Sequence, residues 1–233
     1  MANTHRYGIR FQRTISGNDT PSVFTFPIAT GYAPVTVMGA GTSVNLNIGD
    51  PVRLLEDGTI ALVQQGQDVA AENADSDDYA FGIICGFPRV VVGGFPRPGS
   101  FYTSGTAYSG GIGGDNAPLV SVIPVDGNIF EIDSSAVVGA GTKNAAMGLV
   151  GMTARIVYSV LTTGTGQPKA NPLLLASDAV AGGAIQHQLV IMGLGKVGDA
   201  MDFTATNLTF QVKFTAQQLA VVPDAGIFGA NLE

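Results

Sequence analysis

Charge is scarce in this chain. Asp, Glu, Lys and Arg make up 12% of its 233 residues, where soluble domains average about 25%. Tryptophan is absent, and Cys85 is the only cysteine. A single thiol excludes a disulfide framework and a thiolate metal cluster. No apolar run reaches the ~18 residues that a transmembrane helix needs. The opening Met1-Ala2-Asn3-Thr4-His5-Arg6 lacks the apolar stretch of a secretory signal, so the expectation is a chain used without export by that route. Bases are fewer than acids, 11 against 18, for a net charge of −7. That balance argues against a nucleic-acid-binding surface.

Glycine, in contrast, is abundant at 32 residues, and the mean hydropathy is +0.29. A lone monomer of this composition has unusually little polar surface to keep it in solution. Partners that cover part of the surface resolve the difficulty, so the composition points to a subunit of an assembly. The few charges are also segregated. Arg6, Arg10 and Arg13 all precede the first acid, Asp19, while every charged residue from Glu56 to Asp78 is an acid. A basic N-terminal arm beside an acidic body can steer docking, or can be simply a solvated tail.

Two-residue alternation dominates the pattern. Val44, Leu46 and Ile48 alternate with Asn45 and Asn47 before Gly49-Asp50-Pro51 breaks the run. Val52–Leu55 and Ile60–Val63 flank Glu56-Asp57-Gly58-Thr59, where Asp-Gly marks a tight hairpin turn. Ala80–Ile84 reads as a buried strand. Val120–Ile123 and Ile129–Ile132 flank a second such turn, Asp126-Gly127-Asn128. Leu189–Met192 is an apolar run, and Leu208, Phe210, Val212 and Phe214 alternate as a half-buried strand does. The expected class is therefore all-β, with a β-sandwich or β-barrel-like core, long Gly-rich loops and little helix. Ser134–Val138 and Thr215–Val221 are the helix candidates.

The organisation expected is an extended N-terminal arm over 1–34, a single β-rich domain over 35–214, and a C-terminal tail over 215–233 holding one short helix. Loops are expected at 93–114 and 160–187, both punctuated by glycine. A local duplication, Gly86-Phe87-Pro88-Arg89 echoed by Gly94-Phe95-Pro96-Arg97, should end a strand or lie at a sheet edge, because proline cannot continue a central strand. Each Phe-Pro-Arg corner is either an interface anchor or a Phe folded back over a strand end.

Catalytic constellations are weak. Gly193-Leu194-Gly195-Lys196-Val197-Gly198 matches the dinucleotide fingerprint, but no amphipathic helix follows it and the acid expected about 20 residues on is missing. Cys85 lies within an apolar strand and reads as a small buried hydrophobe. Only His5 and His187 could serve it as a base, and no Gly-x-Ser-x-Gly elbow exists. Asp75, Asp77 and Asp78 lack the glycine and closing glutamate of an EF-hand loop. Glu131 and Asp133 share one strand face, as many purely structural pairs do. The expectation is a protein that is not an enzyme and has no cofactor and no metal site.

Gly49-Asp50-Pro51-Val52-Arg53-Leu54-Leu55-Glu56-Asp57-Gly58-Thr59-Ile60, followed by Ala80-Phe81-Gly82-Ile83-Ile84, resembles the head proteins of tailed bacteriophages. Asp126–Ile132 with Asn144-Ala145-Ala146, and Gln188–Leu194 with Asn207–Phe214, resemble two further recurrent elements of the same group. Together they cover residues 49–214. The resemblance implies a capsid decoration or cement protein: a structural virion protein, β-rich, made in the host cytoplasm and carried on the outer face of the capsid. It implies the major capsid protein and further copies of itself as partners, a trimer in preference to a dimer, with neither nucleic acid nor membrane. The Gly-rich 93–114 segment departs from the pattern. No catalytic residues are carried over.

A tail or neck subunit, also β-rich, is the structural alternative. A carbohydrate-binding β module is the alternative of another class, although lectin faces favour Trp and this chain has none. The residues expected to meet a partner are Arg6, Arg10, Phe11, Arg13, Phe24 and Phe26 on the arm, with Phe87, Arg89, Phe95 and Arg97 at the duplicated corner.

Overall fold

The structure is a computed structural model. It describes residues 8–17, 20–28, 46–63, 79–92, 95–99, 101–102, 117–134, 142–161, 169–175, 188–195, 203 and 208–215. The chain is all-β, with two main antiparallel sheets. The first sheet holds β1 (Arg10–Thr14), β10 (Asn128–Asp133), β14 (Thr209–Phe214), β13 (Leu189–Leu194), β11 (Thr153–Leu161) and β12 (Lys169–Leu175), in that spatial order. The second holds β2 (Phe24–Pro27), β9 (Leu119–Pro124), β6 (Gly82–Val92), β4 (Pro51–Leu54) and β5 (Ile60–Leu62), with β7 (Phe95–Gly99) paired to the far end of β6. A two-stranded ribbon joins β3 (Leu46–Asn47) to β8 (Phe101–Tyr102). An isolated parallel bridge between Ile28 and Ile60 links the two ends of the second sheet, which curls it toward a barrel. Sandwich and barrel features therefore occur together.

Alternation decides which side chains meet, because cross-strand partners share a face. Phe130 pairs with Val212, and Ile132 with Phe210. All four are fully buried in one core that also takes Ile28, Ile60, Ile84, Val120 and Val122 from the second sheet. Phe130 is the hub of an aromatic chain, edge-on to Phe11 at 6.2 Å and to Phe214 at 5.9 Å. The opposite face of β10 is polar yet equally enclosed: Glu131 is 8% and Asp133 2% exposed. Asp133 Oδ1 accepts from Arg10 Nη2 at 3.1 Å and from the Thr209 hydroxyl at 2.8 Å, which satisfies a carboxylate that burial alone would penalise.

The two Asp-Gly turns behave differently. The first closes the β4–β5 hairpin as expected. Asp57 Oδ1 accepts from the Thr59 amide at 2.9 Å and from its hydroxyl at 2.6 Å, and these bonds, the hydroxyl's first, hold the Asp57 carboxyl below its ordinary pKa. The second does not make a hairpin. Its flanking strands lie in different sheets, β9 beside β2 and β6, β10 beside β1 and β14. Gly127, at φ 68°, turns the chain through this corner from one sheet to the other.

Other expectations are corrected. Pro88 does not end a strand. It lies within the 11-residue β6, where register shifts against both β9 and β7 leave a bulge that tolerates its missing N–H. The second copy pairs with the residues that follow the first, Val90 opposite Arg97, Val91 opposite Pro96 and Val92 opposite Phe95. Part of 93–114 is strand (β7 and β8), and so is part of 160–187, where β12 pairs along β11. Of the run Val44–Ile48 only Leu46–Asn47 is strand among the described residues, because Ile48 and Gly49 turn. The described helix is α1 (Lys143–Met147), which neither helix candidate anticipated. The Thr142 hydroxyl caps it by accepting from the Ala145 amide. Residues 135–138 and 216–221 lie outside the described residues.

Candidate interaction surface

The described strands of the N-terminal segment, expected to meet a partner, pair within this chain. β1 forms the outer edge of the first sheet against β10, and β2 an edge of the second against β9. This placement sorts the residues expected at an interface. Arg13 is exposed. Arg10 is half-buried and tied to Asp133. Phe11 packs on the core beside Phe130. Phe26 is half-buried and edge-on to Phe81 at 5.1 Å. Phe24 is 50% exposed. Arg6 lies outside the described residues.

At the duplicated corner, Phe87 is corrected to a core residue. It is 3% exposed, the folded-back alternative, and has no ring surface to offer a partner. Arg89 is half-buried and donates through Nε to the Ala117 carbonyl at 2.7 Å. Phe95 and Arg97 belong to β7, and their side chains lie outside the described ones.

Phe24 is unusual for its position. Register places it directly opposite Val122, as it places Phe26 opposite Val120. Val120 and Val122 are both fully buried, so Phe24 stands on the core-facing side of its sheet with half its surface open. Two further apolar residues beside the edge strands are open as well. Val23 precedes Phe24 and is 51% exposed, and Ile15 is 55% exposed. The Ile15 amide donates to the Gly127 carbonyl at 2.7 Å, which fixes it at the corner that β9 leads into. Ile15 follows β1, and Val23 and Phe24 stand at the start of β2, so the exposed apolar rim consists of residues at the ends of two edge strands, with Arg13 exposed on β1.

A second apolar surface lies where α1 meets β13. Met147 is 46%, Val150 36% and Met192 47% exposed. The Gly151 amide bonds the Ile191 carbonyl, and the Ile191 amide bonds the Met152 carbonyl, which stitches the turn after α1 to β13. Sequence reasoning missed Ile15, Val23 and this cluster. The signal for Met192 was present: Leu189–Met192 is apolar at every position, so one of its faces has to meet something other than the core.

The remaining chemistry is structural in placement. Cys85 is half-buried, its Sγ 3.3 Å from the Ser121 carbonyl, and burial raises its pKa. Gly193 and Gly195 belong to the antiparallel β13–β14 pairing, and the Gly195 amide bonds the Thr209 carbonyl. Both glycines thus continue an antiparallel ladder, and residues 196–202, where the phosphate-binding fingerprint requires a helix N-terminus, lie outside the described residues. His5, His187, Asp75, Asp77 and Asp78 lie outside the described residues. Among the described residues no group of His, Cys, Asp and Glu is arranged to hold a metal ion, and no helix is long and apolar enough to cross a membrane. Comparison of the chain with protein-family models, with curated proteins and with solved structures finds no match.

Proposed function

We propose that this chain is a capsid decoration protein, which binds the outer face of a tailed-phage head and clamps neighbouring major capsid subunits. The observation that carries the reading is Phe24: a ring on the core side of an edge strand with half its surface open, at a strand end where Val23 is exposed as well. A partner that covers this rim completes the core it borders. The scarcity of charge and the likeness of residues 49–214 to phage head proteins support the same reading. Standard interfaces bury about 1,600 Å². Several of modest strength, engaged at once by one subunit, hold avidly through effective concentration.

The test is occupancy of purified shells that lack the protein. Deleting residues 1–20 is a poor probe, because it removes β1 from the first sheet and confuses binding with folding. Phe24→Ser, which leaves the β2–β9 backbone pairing intact, should lower occupancy at least tenfold at unchanged far-ultraviolet circular dichroism. Wild-type occupancy for a folded Phe24→Ser protein would remove the rim from the proposal. Image reconstruction of the particle then locates the copies: on the shell for a decoration protein, along a tube for a tail or neck subunit.

A further inference from the structure

Asp50 is the least accommodated polar group in the described core. It is 0% exposed, and its Oδ1 has no hydrogen-bond partner. Oδ2 accepts the Asn47 amide at 2.8 Å, and the Asp50 amide returns a bond to the Asn47 carbonyl at 3.2 Å, so the β3–β4 turn is tied across the carboxyl. The backbone on either side of Asp50 is a junction of three segments. The Ile9 amide bonds Gly49 O at 2.9 Å, the Gly49 amide bonds Ile84 O at 2.8 Å, and the Ile84 amide bonds Asp50 O at 3.0 Å. Through these bonds the start of β1, the turn and β6 are held together at one point.

An ionised carboxylate without water costs far more than a neutral carboxyl. Burial raises the Asp50 pKa well above the ordinary value, and the bonds from Asn47 oppose it only in part. The ionisable side chains on the surrounding elements are Arg10 and Arg13 on β1, Arg53 on β4, Cys85 and Arg89 on β6 and Tyr102 on β8. None of them enters the balance at Asp50, which consists of burial against Asn47.

We infer that Asp50 is a pH-responsive latch, closed when its carboxyl is protonated and loosened when it ionises, which governs how firmly the N-terminal edge strand is seated against the second sheet. The sign follows from linkage. In the open junction Asp50 ionises near pH ~3.9; in the closed junction it keeps its proton to higher pH. Closure is therefore firmest below the ordinary value and weakens as pH rises toward the raised one, by up to about tenfold per pH unit. The latch does not depend on which partner the protein binds.

The experiment is amide hydrogen exchange on the full chain across a pH series, corrected for intrinsic exchange, together with a carbon-13 titration of the Asp50 carboxyl. The wild type should lose protection at Ile9, Gly49 and Ile84 with rising pH, up to about tenfold per unit, while Val212 in β14 stays level. In Asp50→Asn the three amides should show no such slope. A wild-type carboxyl that titrates at the ordinary aspartate value overturns the latch, and so does equal loss of protection at Val212. Both readings come from the wild type, so they decide the matter even where Asp50→Asn fails to fold.

Discussion

At the scale of single residues, the tightest constraint is the crossing of Gly8 and Gly49 beneath the Asp50 junction. A Cβ on Gly49 would lie 2.7 Å from the Gly8 Cα, with φ already at +93°. Gly49→Ala therefore combines a left-handed backbone cost of about 1–2 kcal/mol with overpacking of about 1–3 kcal/mol. Gly58→Ala meets nothing within 4 Å at φ +77° and carries the first cost alone. Urea unfolding of the two variants should separate them in that order, and equal losses would mean that the crossing relaxes freely. Phe130→Ala removes the hub of the aromatic chain and should cost about 3–5 kcal/mol in the same measurement. Asp50 and Asp57 respond to pH with opposite signs. Asp57 has a lowered pKa, so its contribution is present above the ordinary carboxylate range and lost as pH falls through it. The stability gap between wild type and Asp57→Asn should thus close in acid, where the Asp50 junction is firmest.

At the scale of elements, the polar face of β10 makes the seating of β1 testable. Arg10→Ala withdraws one donor from an Asp133 that is 2% exposed, leaving the Thr209 hydroxyl at 2.8 Å. A hydrogen bond to a charged group contributes about 1.5–3 kcal/mol, so a loss near the lower end is expected, with β1 amides exchanging faster than those of β14. An unchanged β1 would show that backbone pairing alone holds it. This also marks how far the sequence was legible. Strands with clean alternation, such as Leu208–Phe214, or with an Asp-Gly turn of fixed length, such as β4–β5, could be read because local pattern and tertiary pairing agree. Pro88 and the β9–β10 corner could not. A bulge rescues the proline, and the same Asp-Gly chemistry serves a hairpin or a change of sheet depending on which strands arrive from elsewhere. The partners of β1 and β2 were hidden for a related reason: extended residues look alike whether their hydrogen-bond partners lie in this chain or in another. Of the expected interface residues, Phe24 and Arg13 are exposed, whereas Phe87, equally apolar in sequence, is in the core. Alternation gives the face of a residue but not its distance from the sheet edge.

At the scale of the whole molecule, two apolar surfaces compete for the role of interface. The rim of Ile15, Val23 and Phe24 lies at the ends of the edge strands β1 and β2. The cluster of Met147, Val150 and Met192 lies beside β13, an interior strand of the first sheet. An edge offers unpaired backbone groups as well as side chains, so it suits a partner that adds main-chain pairing. The methionine surface offers only side chains, and flexible thioethers fit varied contours. On the proposed function these properties divide the work: the rim meets the shell, and the methionine surface meets another copy of the chain. Phe24→Ser should then reduce shell occupancy while leaving the mass of the free protein in light scattering unchanged. Met192→Asp places a charge in the methionine surface and should lower that mass toward the monomer, with shell occupancy falling only through lost avidity. Loss of self-association in Phe24→Ser with none in Met192→Asp would reverse the two roles, and a wild type that is monomeric at every concentration would leave the methionine surface without a part in self-assembly.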